Sequence, residues 1–172
     1  NKMLQKKISL GLAQSDKSYG LGSKQKDNFF ELVNTAIDYG ITKLDTSPYY
    51  KNSDQIISKL NKKSLKISSK IPVAAIKKSK VRDFLDQIID NIFEKNQISK
   101  LENILFYDPL IPLDKERWDI YSRKIQELKK YKLIKKAGFS VYNKFEVENI
   151  IKEINPDVIQ FPYNVFDQSF NN

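Results

Sequence analysis

Short apolar runs alternate along this chain with longer segments of helical period, and that alternation constrains its fold more than any other feature. The strand candidates are Lys7–Gln14, Thr42–Ser47, Leu65–Ile71, Asn103–Tyr107, Lys136–Val141 and Asp157–Phe161. Their starts lie roughly 20 to 40 residues apart, the length of a strand–helix–strand step. Helical stripes fill the intervals. Phe29, Leu32, Val33, Ala36 and Ile37 mark one apolar face, and Gly40 follows as a C-terminal stop. Val81, Phe84, Leu85, Ile88, Ile89 and Ile92 repeat the pattern over three turns, and Trp118, Tyr121, Ile125 and Leu128 line a third face. A shorter helix is expected over Ser53–Leu60. The last helix opens with Asn143-Lys144-Phe145-Glu146, an Asn form of the capping box, and buries Val147, Ile150, Ile151 and Ile154.

Strict alternation of strand and helix implies a parallel sheet, because parallel neighbours need a crossover between them. An open doubly wound sheet and a (β/α)8 barrel both satisfy that requirement. The first turn separates them. A dinucleotide-binding sheet places G-x-G-x-x-G after its first strand. This chain instead reads Leu10-Gly11-Leu12-Ala13-Gln14 and then a loop containing Tyr19-Gly20-Leu21-Gly22. A barrel of the TIM type, in the α/β class, is the better fit, and 172 residues without a linker-like stretch read as one domain.

Composition removes several function classes. The chain has no cysteine and no histidine, which excludes disulfides and thiolate metal sites and removes the commonest general base. Its net charge of +9 comes from lysine, with Arg82, Arg117 and Arg123 the only arginines. Nucleic-acid readers favour arginine forks with interleaved aromatics. The lysines here sit among Asp, Glu and Asn, and are read as a solvated surface, so no nucleic-acid partner is expected. No apolar stretch approaches the ~20 residues of a membrane span. The polar, basic start Asn1–Lys7 leads into no signal-like core, so cytoplasmic residence is the default expectation.

In a barrel, chemistry sits where strands end and loops begin. The second strand ends in Asp45, followed by Tyr50; the third ends near Lys70; the fourth ends at Tyr107-Asp108-Pro109. The fifth ends Gly138-Phe139-Ser140-Val141-Tyr142, and the sixth contains Gln160. An aspartate at a strand end is more often a turn residue, and a lysine there is more often exposed. Together, however, a lysine held by an aspartate would favour the anionic form of a nearby phenol. Such a phenol can pass its proton to a carbonyl oxygen.

The segments around these residues resemble the aldo-keto reductase family. Leu44-Asp45-Thr46-Ser47-Pro48-Tyr49-Tyr50-Lys51-Asn52-Ser53 is similar to the family's signature, in which an Asp precedes the acid Tyr by five residues. Ser69-Lys70-Ile71-Pro72, Ala137-Gly138-Phe139-Ser140-Val141-Tyr142 and the run from Pro156 to Gln168 resemble its third-, fifth- and sixth-strand motifs. The resemblance runs collinearly from about Leu10 to Gln168. It implies hydride transfer between a nicotinamide cofactor, NADPH in preference to NADH, and a small carbonyl compound (an aldehyde, ketone or sugar-like substrate). It also implies roles: Tyr50 as general acid, Lys70 as the group that lowers its pKa, and Asp45 as the anion holding Lys70. Ser140 and Gln160 would hydrogen-bond the nicotinamide carboxamide, Asp45 would also line the cofactor site, and no metal is implied.

Three departures from the family pattern stand out. Tyr107 occupies the position of the usual histidine, where it serves either as a hydrogen-bond donor to substrate or as a residue capping the barrel mouth. Val141 stands where an amide is frequent. A full barrel takes roughly 250 residues and eight strands, whereas six strand–helix units are legible here, so the barrel is expected to be incomplete and C-terminally truncated. Open edges would then call for self-association or a partner covering them. The other readings are a non-catalytic binding or regulatory subunit, and an inactive fragment lacking the segments that grip the cofactor.

Overall fold

The computed structural model describes residues 5–15 and 29–170, so the loop containing Tyr19–Gly22 and most of the basic N-terminal start lie outside the described residues. The described residues form six strands: β1 (Ser9–Gly11), β2 (Lys43–Asp45), β3 (Lys66–Ile71), β4 (Leu101–Phe106), β5 (Ile134–Ser140) and β6 (Val158–Gln160). Between them run α1 (Phe29–Asp38), α2 (Ser53–Lys59), α3 (Val81–Asn96), α4 (Lys115–Lys130) and α5 (Lys144–Glu153). The strands pair in sequence order, β1-β2-β3-β4-β5-β6, and every pair is parallel. A doubly wound sheet reverses its direction of growth at a switch point. This one never does, so it curls as six consecutive units of a (β/α)8 barrel, with β1 and β6 at its two edges.

Period-two alternation sorts each strand between two faces. Leu44, Ile67, Ile104 and Phe139 face the helices and join Val33, Ile57, Leu85, Ile89 and Ile150 in one buried cluster. Asp45, Ser68, Asn103 and Gln160 face the other way and line the hollow of the curl. The main apolar cluster therefore lies on the helix side of the sheet, while the hollow mixes these polar groups with Leu105 and Val158. At ~25 cal/mol per Å² the helix-side burial is the main stabilising term of such a fold.

Helix ends carry the local signals read from the sequence. Gly40 takes φ 87°, a left-handed conformation that costs glycine little. Its N–H donates to the Ile37 carbonyl while that of Ile41 reaches Ala36, which closes α1 with a Schellman pair. Asn143 caps α5 by accepting from the Glu146 N–H, and the Glu146 carboxylate returns a bond to the N–H of Tyr142, one residue before the cap. Asp114 caps α4, which starts three residues before the Trp118 stripe. Strands β4 and β5 also begin earlier than their apolar runs, because Glu102, Lys135 and Lys136 occupy strand positions that reach solvent. Strands β1, β2 and β6 are shorter than expected, three residues each.

One glycine is demanded by packing. A Cβ on Gly138 would sit inside the van der Waals envelope of the Val158 carbonyl oxygen, so β5 and β6 can approach as they do because position 138 is bare.

Candidate active site

The carboxyl end of β2 places Asp45 on the hollow face, and two residues further along β3 than its register partner Ser68 comes Lys70. Their side chains meet across the strands: Lys70 Nζ lies 2.6 Å from Asp45 Oδ2. The same ammonium donates to the Thr46 carbonyl at 3.0 Å. Lys70 is only 2% exposed, so its charge has lost most of its water and relies on these acceptors. Burial lowers its pKa below the ordinary lysine value, and the charge and hydrogen bond of Asp45 oppose that shift.

A short hydrogen-bonded turn carries Tyr50 over this pair. The Tyr50 N–H donates to the Ser47 carbonyl, and Ser53 Oγ donates to the Tyr50 carbonyl at 2.7 Å while accepting from Thr46 Oγ1. Ser15, just past β1, donates to the Lys51 carbonyl from the other side. Thr46, Ser47 and Ser53 are each 2% exposed, so the turn is braced by buried hydroxyls. The result sets Lys70 Nζ 5.5 Å from the centre of the Tyr50 ring. The Tyr50 and Tyr107 hydroxyl oxygens lie 3.5 Å apart.

Tyr107 follows β4, and its N–H donates to the Ile71 carbonyl, extending the β3–β4 ladder by one step. Burial raises the pKa of its phenol above the ordinary value, against the lowering effect of hydrogen bonds with Tyr50 and Ser47. The group is therefore a protonated donor across the neutral range. Its ring stacks on Tyr49 at 6.1 Å between centres, and the Tyr49 hydroxyl reaches the Val73 carbonyl.

Two further expected residues lie at the other side of the hollow. Ser140 and Gln160 are direct register partners at the carboxyl ends of β5 and β6. Gln160 Oε1 is buried and has no hydrogen-bond partner among the described residues. Val141 is 1% exposed, and its N–H donates to the Gln160 carbonyl, so the position that often carries an amide is here part of the core. Between the two groups lies a concavity of about 550 Å³ lined by Asp45, Ser68, Asn103, Leu105 and Gln160, with Phe161 stacked on Phe170 at its rim. Asn103 donates to Ser68 Oγ across its floor. Among the described residues no three acidic side chains gather as a metal-ligating group.

All four expected catalytic residues thus converge, and the two amide-binding candidates face the same hollow. Ser47, Tyr49 and Asn103 also contribute to the site, and none of them is among the residues the sequence singles out. Asn103 carries no signal of its own, since at strand period it shares its face with Leu101 and Leu105.

Solved structures share this arrangement of chain. A thermostable aldo-keto reductase, Tm1743, matches with a TM-score of 0.65 at 23% identity, over 95% of this chain and 60% of its own. The glycerol dehydrogenase AKR11B4 from Gluconobacter oxydans matches with a TM-score of 0.65 at 19% identity, over 94% of this chain and 53% of its own. The aldo-keto reductase AKR11C1 from Bacillus halodurans gives a TM-score of 0.66 at 15% identity, over 91% of this chain and 53% of its own. The chain therefore spans somewhat over half the length of these structures, six strand–helix steps of a longer barrel. No curated protein matches it. The sequence profile of the aldo/keto reductase family matches residues 7–172. With six collinear units of the barrel and that profile running through all of them, this chain belongs to the aldo/keto reductase family.

Proposed function

We propose that the carboxyl end of this sheet serves carbonyl reduction with NADPH, with Tyr50 as the general acid. The observation that carries the reading is the Asp45–Lys70 pair, buried and locked at 2.6 Å beneath the Tyr50 ring. Gln160 Oε1, a buried acceptor without a donor, and Ser140 beside it suit the carboxamide of a nicotinamide. A reduced nicotinamide held by Ser140 and Gln160 would supply the hydride.

The chain's own residues handle the proton. A substrate carbonyl oxygen placed between the Tyr50 and Tyr107 hydroxyls accepts a proton from Tyr50 as negative charge develops on it. Lys70 stabilises the phenolate left behind, and Asp45 fixes where that ammonium sits. Tyr107, kept protonated by its burial, donates a second hydrogen bond to the same oxygen. Solvent restores the Tyr50 proton, and the product is the alcohol. The substrate is a small aldehyde, ketone or sugar-like carbonyl. Catalysis also needs the edges at β1 and β6 closed over the hollow, by further chain or by a partner.

The test is a titration of the chain with NADPH, followed by cofactor fluorescence, alongside NADH and a Lys70→Met variant. Saturable binding that weakens in the variant, and that is tighter for NADPH than for NADH, supports the reading. Absence of saturation at millimolar cofactor removes reduction by these residues and leaves a binding or regulatory role.

A further inference from the structure

Opposite the site, at the amino ends of the strands, the chain gathers lysine. The segments entering β3, β4 and β5 enclose a cleft of about 400 Å³ lined by seven lysine side chains and a single carboxylate, Glu102. They come from three separate stretches of the chain, 62–67, 100–102 and 129–135, which the register of β3, β4 and β5 sets side by side. Lys135 is paired with Glu102 at 3.0 Å and Lys129 with Asp157 at 2.6 Å. Lys62 donates to the carbonyls of Ser58 and Leu60 at the end of α2. Lys63, Lys66, Lys100 and Lys132 have no carboxylate partner among the described residues, and each is exposed. Lys43, the register partner of Lys66, extends the same charge along the sheet.

A concave surface with this many like charges repels itself and focuses a positive potential into the cleft. Ammonium groups on flexible stems bind phosphate oxygens as point charges from several directions. The lining also says what does not fit. It contains no arginine and no aromatic ring, so it lacks the forks and stacking surfaces of a nucleic-acid groove. Of its apolar members Ile67, Leu101 and Ile134 are at most 3% exposed and Leu65 is half-buried against the core, so the lining presents no apolar patch to insert into a bilayer. A half-open cleft of about 400 Å³ suits a compact ligand.

We propose that this cleft is a binding site for a small, multiply phosphorylated anion, independent of the reductase reading. Binding cross-links the entries to β3, β4 and β5 and relieves their mutual repulsion, so it stabilises the folded chain. The test is calorimetric titration of the full chain with inorganic tripolyphosphate at low salt, with thermal melts in parallel. Wild-type protein is expected to bind one equivalent and to melt at a higher temperature. A variant carrying Lys63→Gln, Lys66→Gln, Lys100→Gln and Lys132→Gln should lose about tenfold or more in affinity. A control losing the same charge elsewhere, through Lys77→Gln, Lys115→Gln, Lys144→Gln and Lys152→Gln, should bind as wild type does. Equal weakening in both variants, or no binding by the wild type at low salt, would overturn the proposal. So would displacement of tripolyphosphate by duplex DNA or by anionic phospholipid vesicles at lower phosphate concentration, because the cleft would then serve a polymer or a surface.

Discussion

The two ends of the sheet use the same side chain to opposite effect. At the carboxyl end a single lysine, Lys70, is 2% exposed and held by one carboxylate and one carbonyl. At the amino end seven lysines share a cleft with one carboxylate lining it, and the unpaired ones stand in water. Desolvation makes the first charge specific: burial pulls the Lys70 pKa down, Asp45 opposes it, and the ammonium can occupy one place. Solvent makes the second set collective, since each exposed charge is screened and acts mainly through the summed field. A lysine becomes part of a reaction centre through what excludes water around it, whereas it becomes part of a docking surface through how many others stand nearby.

The sharpest way to break this contrast is Tyr50→Phe, which removes the proton at the buried end and leaves the amino end untouched. Turnover of a carbonyl substrate by the closed barrel should fall by about a thousandfold, within the range general acids contribute. NADPH affinity and the tripolyphosphate titration should stay unchanged. Equal turnover in the variant would mean that the proton comes from elsewhere, with Tyr107 the next phenol to remove. Lys70→Met follows. It strands Asp45, whose side chain is 17% exposed, beside an apolar neighbour. Breaking a buried pair in this way costs about 3 kcal/mol, read as a lower urea midpoint. Neutralising any one lysine of the amino-end cleft should move the same midpoint by less than about 0.5 kcal/mol.

Much of this was legible in the chain, for reasons that can be named. The parallel sheet follows from alternation, because neither period can serve the other element, and the missing G-x-G-x-x-G turn after the first strand favours the barrel order. Asp45, Tyr50 and Lys70 were legible because their spacing reproduces a known signature collinearly with the strands. The amino-end cluster was not. Lys62 and Lys135 lie 73 positions apart in sequence, and register between β3, β4 and β5 brings them to one cleft. Read along the sequence, the same lysines fall among Asp, Glu and Asn and look like ordinary surface. The bracing of the Tyr50 turn by Thr46, Ser47 and Ser53 was hidden for a related reason, since a hydroxyl declares no partner until the loop closes.

Gly138→Ala tests whether the two sides of the hollow depend on one another. The new methyl group would collide with the Val158 carbonyl and push β6 from β5, at a cost of about 2 kcal/mol. Gln160 would move with β6, so NADPH binding should weaken while the Asp45–Lys70 pair stays formed. Unchanged cofactor affinity would separate Gln160 from the site. Tyr107→Phe is milder. It deletes one hydrogen-bond donor and keeps the ring stacked on Tyr49, and turnover should drop about tenfold, or 1.4 kcal/mol in barrier. An unaltered rate would assign Tyr107 to capping the barrel mouth.

A small effect is expected at Asp157, and it bears on the amino end directly. Its carboxylate accepts from the Ala137 N–H at 2.8 Å and pairs with Lys129 at 2.6 Å, tying α4 to β5 and to the turn before β6. Partial burial raises its pKa, but the Ala137 N–H and the charges of Lys129 and Lys136 outweigh that and hold it below the ordinary 3.8. A depressed carboxyl binds fewer protons when folded than when unfolded. Its stabilising contribution is thus complete above the ordinary value and disappears as pH falls through the folded one. Asp157→Asn should lower stability at neutral pH by less than about 1 kcal/mol, because the pair is partly exposed. The variant should also lose less than wild type between neutral pH and pH 3, which urea midpoints at the two values would show. Lys129 would then join the unpaired cations, so the penalty should grow at low salt. Parallel acid limbs in the two proteins, with no salt dependence between them, would mean that charges at the amino end contribute through the field they present and not through any single pair.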